Sequence, residues 1–256
     1  MTAIRTPGRG AGPRRAPLSR RRVAAVVAKE LREYRRNRSM VVTMAVIPLV
    51  FMAQPLISVF ALGSGAASAI SHRHELLYLL AIPALVPALM AAYSVVGERQ
   101  QGTLEALLTT PVRHDELLLG KALAVLIPSV VISYVVYALF LALTSLFASP
   151  GIAPALIRGS DVLAQVIFTP LITVWSIWLA IAISTRSGEV RVAQQLSMLA
   201  SLPSVAVTSL IAFDVIGASL RLALALGVAL LLADRIGWRV TAAMFDRERL
   251  ITGRRG

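Results

Sequence analysis

Apolar residues in this chain are collected into six runs of about 20 residues or more, separated by short polar segments. A helix of about 20 residues crosses the roughly 30 Å of bilayer hydrocarbon, so such runs indicate membrane spans rather than the core of a globular domain. A tight turn near Asp214 and Gly217 joins the last two runs, and this hairpin could be partly re-entrant. The pattern predicts an all-α integral membrane protein of six transmembrane helices, near residues 40–62, 76–96, 121–147, 162–184, 192–213 and 216–234.

A different pattern precedes the first span. Over residues 19–38, apolar residues recur at helical spacing from Val23 to Tyr34, charged residues fill the other positions, and Ser19 can cap the helix start. This predicts an interfacial amphipathic helix, whose charged residues include Lys29, Glu30, Arg32, Arg35, Arg36 and Arg38. Residues 1–18 are rich in Arg, Pro, Gly and Ala and predict a disordered basic tail.

The distribution of basic residues predicts the orientation. The chain carries 26 Lys and Arg against 13 Asp and Glu, and its mean hydropathy is +0.74. With both termini in the cytoplasm, 23 of the 26 basic residues lie inside, six of them in the C-terminal segment 235–256. The basic residues flank apolar runs, so we interpret them as topology signals and contacts with membrane lipids, and we expect no binding of nucleic acid.

The chain has no cysteine, which excludes disulfides, thiolate metal sites and cysteine nucleophiles. The predicted spans contain no paired catalytic groups, which argues against an intramembrane enzyme. They also show no charged residue well inside them, which argues against a carrier that uses a membrane-embedded carboxylate. An outer metal site at His72, His74 and Glu75 is a weaker alternative to a solvated loop, and we expect no metal. Polar residues that could line a path, or bond helices together, are Gln54, Tyr93, Tyr134, Tyr137, Gln165, Thr169, Thr173, Trp175, Gln194 and Gln195.

The loop after the second span has a pattern of its own. Gly102 permits a turn, Thr103 can cap a short helix, and Pro111 ends it. Asp115 can cap the helix that follows. One side of the short helix is apolar and is formed by Leu104, Leu107 and Leu108, while Glu105 lies on another side. Such a helix indicates a docking element at the cytoplasmic face.

This loop resembles the signature loop of the ABC-2 type permeases, the membrane subunits of many bacterial ABC exporters. The family pattern is matched by Glu98, Gly102-Thr103, Glu105, Leu107-Leu108, Thr110-Pro111 and Gly120-Lys121. The segments Lys29–Arg38 and Phe245–Leu250 are also similar to the family's N-terminal and C-terminal segments. The large external domain of the sodium-export members has no counterpart here, which argues against that substrate class.

The resemblance implies a dimeric permease in the bacterial cell membrane, each subunit bound to a cytoplasmic ABC ATPase. It implies that the loop around Gly102–Pro111 is the coupling helix. Within this loop region, Glu98 and Glu105 are expected to contact the ATPase or Arg residues of the interfacial helix, and the alternative is that both are solvated surface carboxylates. The chain has no Gly-x-x-x-x-Gly-Lys-[Ser/Thr] phosphate loop, so we expect ATP and Mg to be bound by the partner and no enzyme activity here. A membrane scaffold and a gradient-driven secondary transporter remain the alternatives.

Overall fold

The computed structural model describes residues 18–61, 74–102, 112–148 and 152–252, and within these ranges every regular element is a helix. The predicted N-terminal tail and most of the predicted coupling helix lie outside the described residues. The helices are α1 (Arg20–Arg36), α2 (Arg38–Ala61), α3 (Glu75–Tyr78), α4 (Ala81–Gln100), α5 (His114–Phe147), α6 (Ile152–Leu156), α7 (Gly159–Arg186), α8 (Val190–Ala212) and α9 (Leu220–Thr252).

The chain changes direction between α1 and α2 at a single residue. Asn37 has an extended backbone (φ −88°, ψ 96°), and its side-chain oxygen accepts a hydrogen bond from the backbone N–H of Met40 at 3.3 Å. Asparagine is a favoured residue at helix starts because its side chain satisfies a backbone donor that the helix leaves unpaired. The amphipathic helix and the first apolar helix are therefore separate elements joined by a cap.

α4 is the central helix of the bundle. It packs against α7 and α8, and 94% of its most apolar stretch is buried. Small residues allow this close packing, including the fully buried Ala81, Ala84, Ala88 and Ala91. By contrast, the other long helices expose apolar faces, as expected of surfaces that meet lipid or another membrane subunit.

Proline explains why the second predicted span is divided. The run predicted near 76–96 consists of α3 and α4, with turns at Leu79 and Leu80 between them. The ring of Pro83 crowds the carbonyl four residues earlier, that of Leu79, which favours an interruption of the helix at this point. Pro83 itself lies in the first turn of α4, where its missing N–H costs no hydrogen bond.

α5 begins earlier than the predicted third span. Asp115 does not cap it, since the helix starts at His114 and Asp115 lies in its first turn. Instead, the Glu116 carboxylate accepts the backbone N–H of Arg113 at 3.2 Å. Carboxylates in a first turn also favour the positive end of the helix dipole, which is why the helix extends seven residues before Lys121.

Five described helical segments are long and apolar enough to cross a membrane: Met40–Ala61, Glu75–Glu98, His114–Phe147, Gly159–Arg186 and Val190–Ala212. The sixth predicted span corresponds to α9, which begins at Leu220 and continues without a break past the expected end at residue 234. A turn with Asp214 at φ 59° precedes it. The described residues thus support a multi-pass membrane protein, and crossing by α9 stays a prediction.

Contacts with α7 fix the position of α9. Gly237 lies beside Trp178, and the Trp178 and Trp238 rings meet edge to face at 5.3 Å between centroids. Asp234 therefore lies roughly 16 Å from the level of Arg186, at 1.5 Å per helical residue. Asp234 would be a charge inside a span only in the arrangement in which α9 crosses the membrane, which stays a prediction.

Candidate functional site

A group of five charged residues joins α1, α4 and α5 at one end of the bundle, here called the charged end. The group, called the charge cluster below, consists of Lys29, Glu30 and Glu33 of α1, Glu98 of α4 and Lys121 of α5. Five acidic and basic groups in contact stabilise each other only if their charges alternate and their hydrogen bonds are made. In the cluster the charges alternate, since each lysine Nζ lies within 3.2 Å of at least two carboxylate oxygens.

Lys121 lies at the centre of the cluster with no exposed surface. Its Nζ is 2.7 Å from Glu98 Oε2 and 3.1 Å from Glu30 Oε1, and it donates a hydrogen bond to the backbone carbonyl of Ser94 at 2.8 Å. Three oxygen atoms therefore surround the three donors of the ammonium group. The lysine ties the start of α5 to both other helices.

Lys29 completes the cluster from the solvent side, where its side chain is 44% exposed. Its Nζ donates to Glu98 Oε1 at 2.7 Å and lies 3.1 Å from Glu33 Oε2 and 3.2 Å from Glu30 Oε1. Burial alone would lower the pKa of Lys29, but its hydrogen bond to Glu98 and the charges of Glu30 and Glu98 raise it above the ordinary value. Lys29 is thus held in the charged form.

Glu30 is shared by the two lysines. Burial acts to raise the pKa of this carboxyl, but the charges of Lys121 and Lys29 outweigh it and hold the pKa below its ordinary value. The sequence places Glu30 on the same face of α1 as Val23, Val26 and Tyr34, all buried against the bundle. The amphipathic pattern therefore delivers the carboxylate to the cluster.

A second ion pair fixes the beginning of α1. Arg22 donates from Nε to Glu116 Oε2 at 2.7 Å and from Nη2 to Oε1 at 2.8 Å, and the backbone N–H of Ser19 donates to the same Oε1 at 2.8 Å. Gly120 lies against Val26, where a Cβ atom would come within 2.6 Å of Val26 Cγ1. α1 is therefore attached to α5 along its length.

The cluster adjoins the entrance to the segment predicted to couple to an ATPase. Glu98 is four residues before Gly102, which adopts the left-handed conformation (φ 68°) that glycine tolerates. Predicted coupling residues other than Glu98 and Gly102 lie outside the described residues: Thr103, Leu104, Glu105, Leu107, Leu108 and Pro111. Of the other predicted basic residues of the α1 region, Arg32, Arg35, Arg36 and Arg38 are exposed.

Most of the polar residues predicted to line a path lie inside one subunit. Tyr137, Gln165, Thr169 and Thr173 are buried, with Thr173 Oγ1 donating to the Thr169 carbonyl at 2.7 Å. Tyr134 donates its hydroxyl to the Val166 carbonyl at 2.8 Å. Gln54 donates to Ser58 Oγ, and Tyr93 accepts a hydrogen bond from Gln101 Nε2. Trp175 is half-buried and Gln195 is exposed.

A cavity of about 290 Å³ lies elsewhere, between α2, α4 and α8. Of its lining residues, only Gln194 was predicted from the sequence, and the methionines were not. Their spacing is a signal for them, because Met40 and Met44 share one face of α2, and Gln194 and Met198 share one face of α8. The cavity is lined by Met40, Met44, Ile47, Val86, Leu89, Met90, Gln194 and Met198.

At the opposite end of the bundle, where the sequence suggested a weak metal site, a histidine ring contacts a carboxylate. His74 Nδ1 lies 2.8 Å and 3.0 Å from the two carboxylate oxygens of Asp161, and the His74 backbone N–H donates to the Ala212 carbonyl at 3.0 Å. His72 lies outside the described residues. Among those described, no three His, Asp or Glu side chains are grouped to hold a metal ion.

These helices define a multi-pass membrane protein. Buried charges attach its amphipathic helix to the end of α4, where the loop predicted to be cytoplasmic begins. The family model described as ABC-2 family transporter protein matches residues 24–225, and the chain belongs to this family. The match includes the amphipathic helix and the charge cluster. No curated protein matches the chain.

Proposed function

We propose that this protein is the permease subunit of an ABC transporter, forming the path for ATP-driven export, with ATP hydrolysed by a separate nucleotide-binding subunit. Membership of the ABC-2 transporter family implies association with such an ATPase. The proposal includes a second permease subunit, a bacterial cell membrane location and cytoplasmic termini. In this arrangement α9 is the sixth span and the charged end of the bundle faces the cytoplasm.

The charge cluster is the observation that carries the proposal. It joins three helices at the point where α4 leaves the bundle towards residues 103–111, the predicted coupling helix. Force applied to that loop by an ATPase would act on α4 through Glu98 and would reach α1 and α5 through Lys29 and Lys121. Buried ion pairs resist separation because each partner left alone would be an uncompensated buried charge.

The methionine-lined cavity supports a path between two subunits. It opens between α2 and α8, whose long apolar faces are largely exposed in the single subunit, so a second subunit on these faces would enclose it. Methionine is flexible and polarizable, so such a surface adapts to differently shaped apolar ligands. Its lining favours an apolar to mildly polar exported compound.

Co-purification with the ATPase tests the proposal. We expect a soluble protein with a phosphate-loop motif to co-purify in stoichiometric amount from native membranes in mild detergent, and Glu105→Arg to abolish the association while the bundle stays folded. The isolation of the chain alone, under conditions that preserve other membrane complexes, would contradict the proposal.

Matched variants of α1 test the role of the cluster. Lys29→Gln removes one positive charge inside the cluster, and Arg36→Gln removes one from the exposed side of the same helix. We expect Lys29→Gln to reduce transport per ATP hydrolysed in reconstituted complexes, and Arg36→Gln to leave this ratio unchanged. Equal ratios in both variants would show that the cluster does not couple.

A further inference from the structure

One side of α1 and the first turns of α5 enclose an open groove of about 630 Å³. Its surface is almost entirely apolar, and its one charged lining residue is Arg20. The groove lies beside the charge cluster but does not include it. The residues used below are Leu18, Arg20, Val27, Leu31, Leu119 and Leu123.

We propose that this groove binds one anionic phospholipid of the cytoplasmic leaflet, with its phosphate on Arg20 and an acyl chain along Leu119 and Leu123. The inference rests on the proposed topology, in which α1 lies at the cytoplasmic membrane surface. It assigns a specific lipid site, beyond the general expectation that basic residues contact lipid headgroups.

The position of the groove on α1 follows from helical geometry. At 100° per residue, Arg20, Val27 and Leu31 fall within a sector of about 40°, roughly a quarter turn from the buried residues Val26 and Glu30. Three sides of α1 therefore differ: one meets the bundle, one meets the groove, and one carries exposed arginines. An interfacial helix that lies flat on a membrane has this arrangement.

The continuation of the groove along α5 fits an acyl chain. Leu119 and Leu123 are followed at the same helical spacing by Ile127, Val131 and Val135, which are 48%, 54% and 60% exposed. These side chains form an apolar row that leads away from the groove and winds about 160° around α5. A chain lying on this row would place its headgroup at the level of Arg20.

Charge complementarity selects an anionic headgroup. α1 contains seven basic residues and two acidic residues. Arg22 is paired with Glu116, and Lys29 belongs to the charge cluster. The other five basic residues of α1 are exposed. Arg20 is the one that lines the groove, and a guanidinium group binds phosphate oxygens in a forked geometry.

The test uses the full-length chain, stripped of lipid in a neutral detergent, and native mass spectrometry with short-chain phosphatidylglycerol or phosphatidylcholine. We expect phosphatidylglycerol to bind at least fivefold more tightly, and Arg20→Gln to remove this preference. Arg36→Gln is the matched control, since Arg36 is exposed about 160° around the helix from Arg20, and we expect the preference to be kept. Equal binding of the two lipids, or equal losses in the two variants, would overturn the proposal.

Three further measurements distinguish a lipid in the groove from a simple anion and from the ATPase. Ala28→Trp fills the groove at an exposed position and leaves Arg20 in place, so we expect weaker binding of both lipids at an unchanged melting temperature. Inorganic phosphate should not compete, and competition at the lipid's own concentration would indicate a simple anion site and overturn the lipid assignment.

ATPase co-purification with Arg20→Gln should equal that of the wild type, and its loss would assign the groove to the ATPase instead. Failure of the wild type to co-purify would count against the proposed function alone.

Discussion

The two ends of the bundle are held together in different ways. At the charged end, five buried or half-buried charges join α1, α4 and α5, and a bidentate Arg22–Glu116 pair attaches α1 a second time. At the opposite end, His74 contacts the Asp161 carboxylate. Because the charged end carries buried ion pairs between three helices, we expect it to be the more strongly held of the two ends.

This difference suits a transporter driven from one side. In the proposed function, a displacement of the loop after Glu98 moves α4. It moves α1 and α5 as well only if the ion pairs of the charged end stay intact. In the proposed function the opposite end would release the substrate, which requires contacts that separate at small cost. The predictions below test whether the two ends differ in strength as described.

Removal of Lys121 should have the largest effect. Lys121→Met leaves Glu98 and Glu30 buried without their central cation, and breaking a buried ion pair costs about 3–5 kcal/mol of unfolding free energy. Lys29→Met should cost clearly less, because the Lys29 side chain is 44% exposed and its loss is partly compensated by water. The measurement is reversible unfolding in detergent, and equal losses in the two variants would contradict a buried centre.

Close contact between α1 and α5 gives the second prediction. In Gly120→Ala the new Cβ would lie 2.6 Å from Val26 Cγ1 and 2.7 Å from Val26 Cβ, so α1 must move, at a cost of about 1–3 kcal/mol. Gly227→Ala is the matched control, since no atom lies within 4 Å of its added Cβ, and it should be neutral or slightly stabilising.

A double variant sharpens this result. Val26→Ala in the Gly120→Ala background makes space for the new methyl group, so the loss from the two changes together should be smaller than the sum of the single losses. Additive losses would show that the two residues do not compete for the same space in solution.

The opposite end should respond more weakly. His74→Ala removes the ring contact of Asp161, which keeps a hydrogen bond from Ser160 Oγ at 3.2 Å, so we expect a loss of about 1 kcal/mol. His114→Ala is the control, because the Nε2 atom of His114 is buried without a hydrogen-bond partner among the described residues. A loss for His74→Ala as large as that for Lys121→Met would remove the contrast between the two ends.

The helices could be predicted from the sequence far better than the charge cluster. Apolar runs mark membrane helices because the bilayer imposes their length, and the spacing from Val23 to Tyr34 predicted an amphipathic helix where α1 lies. Helix ends were less predictable. The interruption before α4 depends on the carbonyl that Pro83 crowds, and the early start of α5 depends on Glu116.

The cluster could not be derived from periodicity because its partners are distant in sequence. Lys29 and Glu98 are 69 residues apart, and Lys121 and Glu30 are 91 apart. The family resemblance selected Glu98 and Lys121 as motif positions without pairing them. One signal was present in the composition, since the chain has only two lysines among 26 basic residues, and both lie in the cluster.

Protonation of Glu30 at acid pH should lower the stability of the charged end. We expect this effect to be smaller than those of the Lys121, Gly120 and His74 variants. The pKa of Glu30 in the folded protein lies below its ordinary value of 4.5, because the charges of Lys121 and Lys29 outweigh the effect of burial. A carboxyl with a lowered folded pKa contributes stability that is fully present above the unfolded pKa and is lost as the pH falls through the folded pKa. The melting temperature in detergent should therefore be insensitive to Glu30 between pH 6 and 9 and should fall below about pH 4.5.

Glu30→Gln isolates this contribution. The variant is less stable than the wild type at pH 7, but it has no carboxyl to protonate at this position, so its melting temperature should fall less steeply in acid. The two curves should converge as the pH decreases, because the protonated carboxyl of Glu30 and the amide that replaces it are both neutral. Parallel curves down to pH 3 would show that Glu30 does not carry the charge that holds Lys121 and Lys29 at this end, and the cluster would then depend on Glu98 and Glu33.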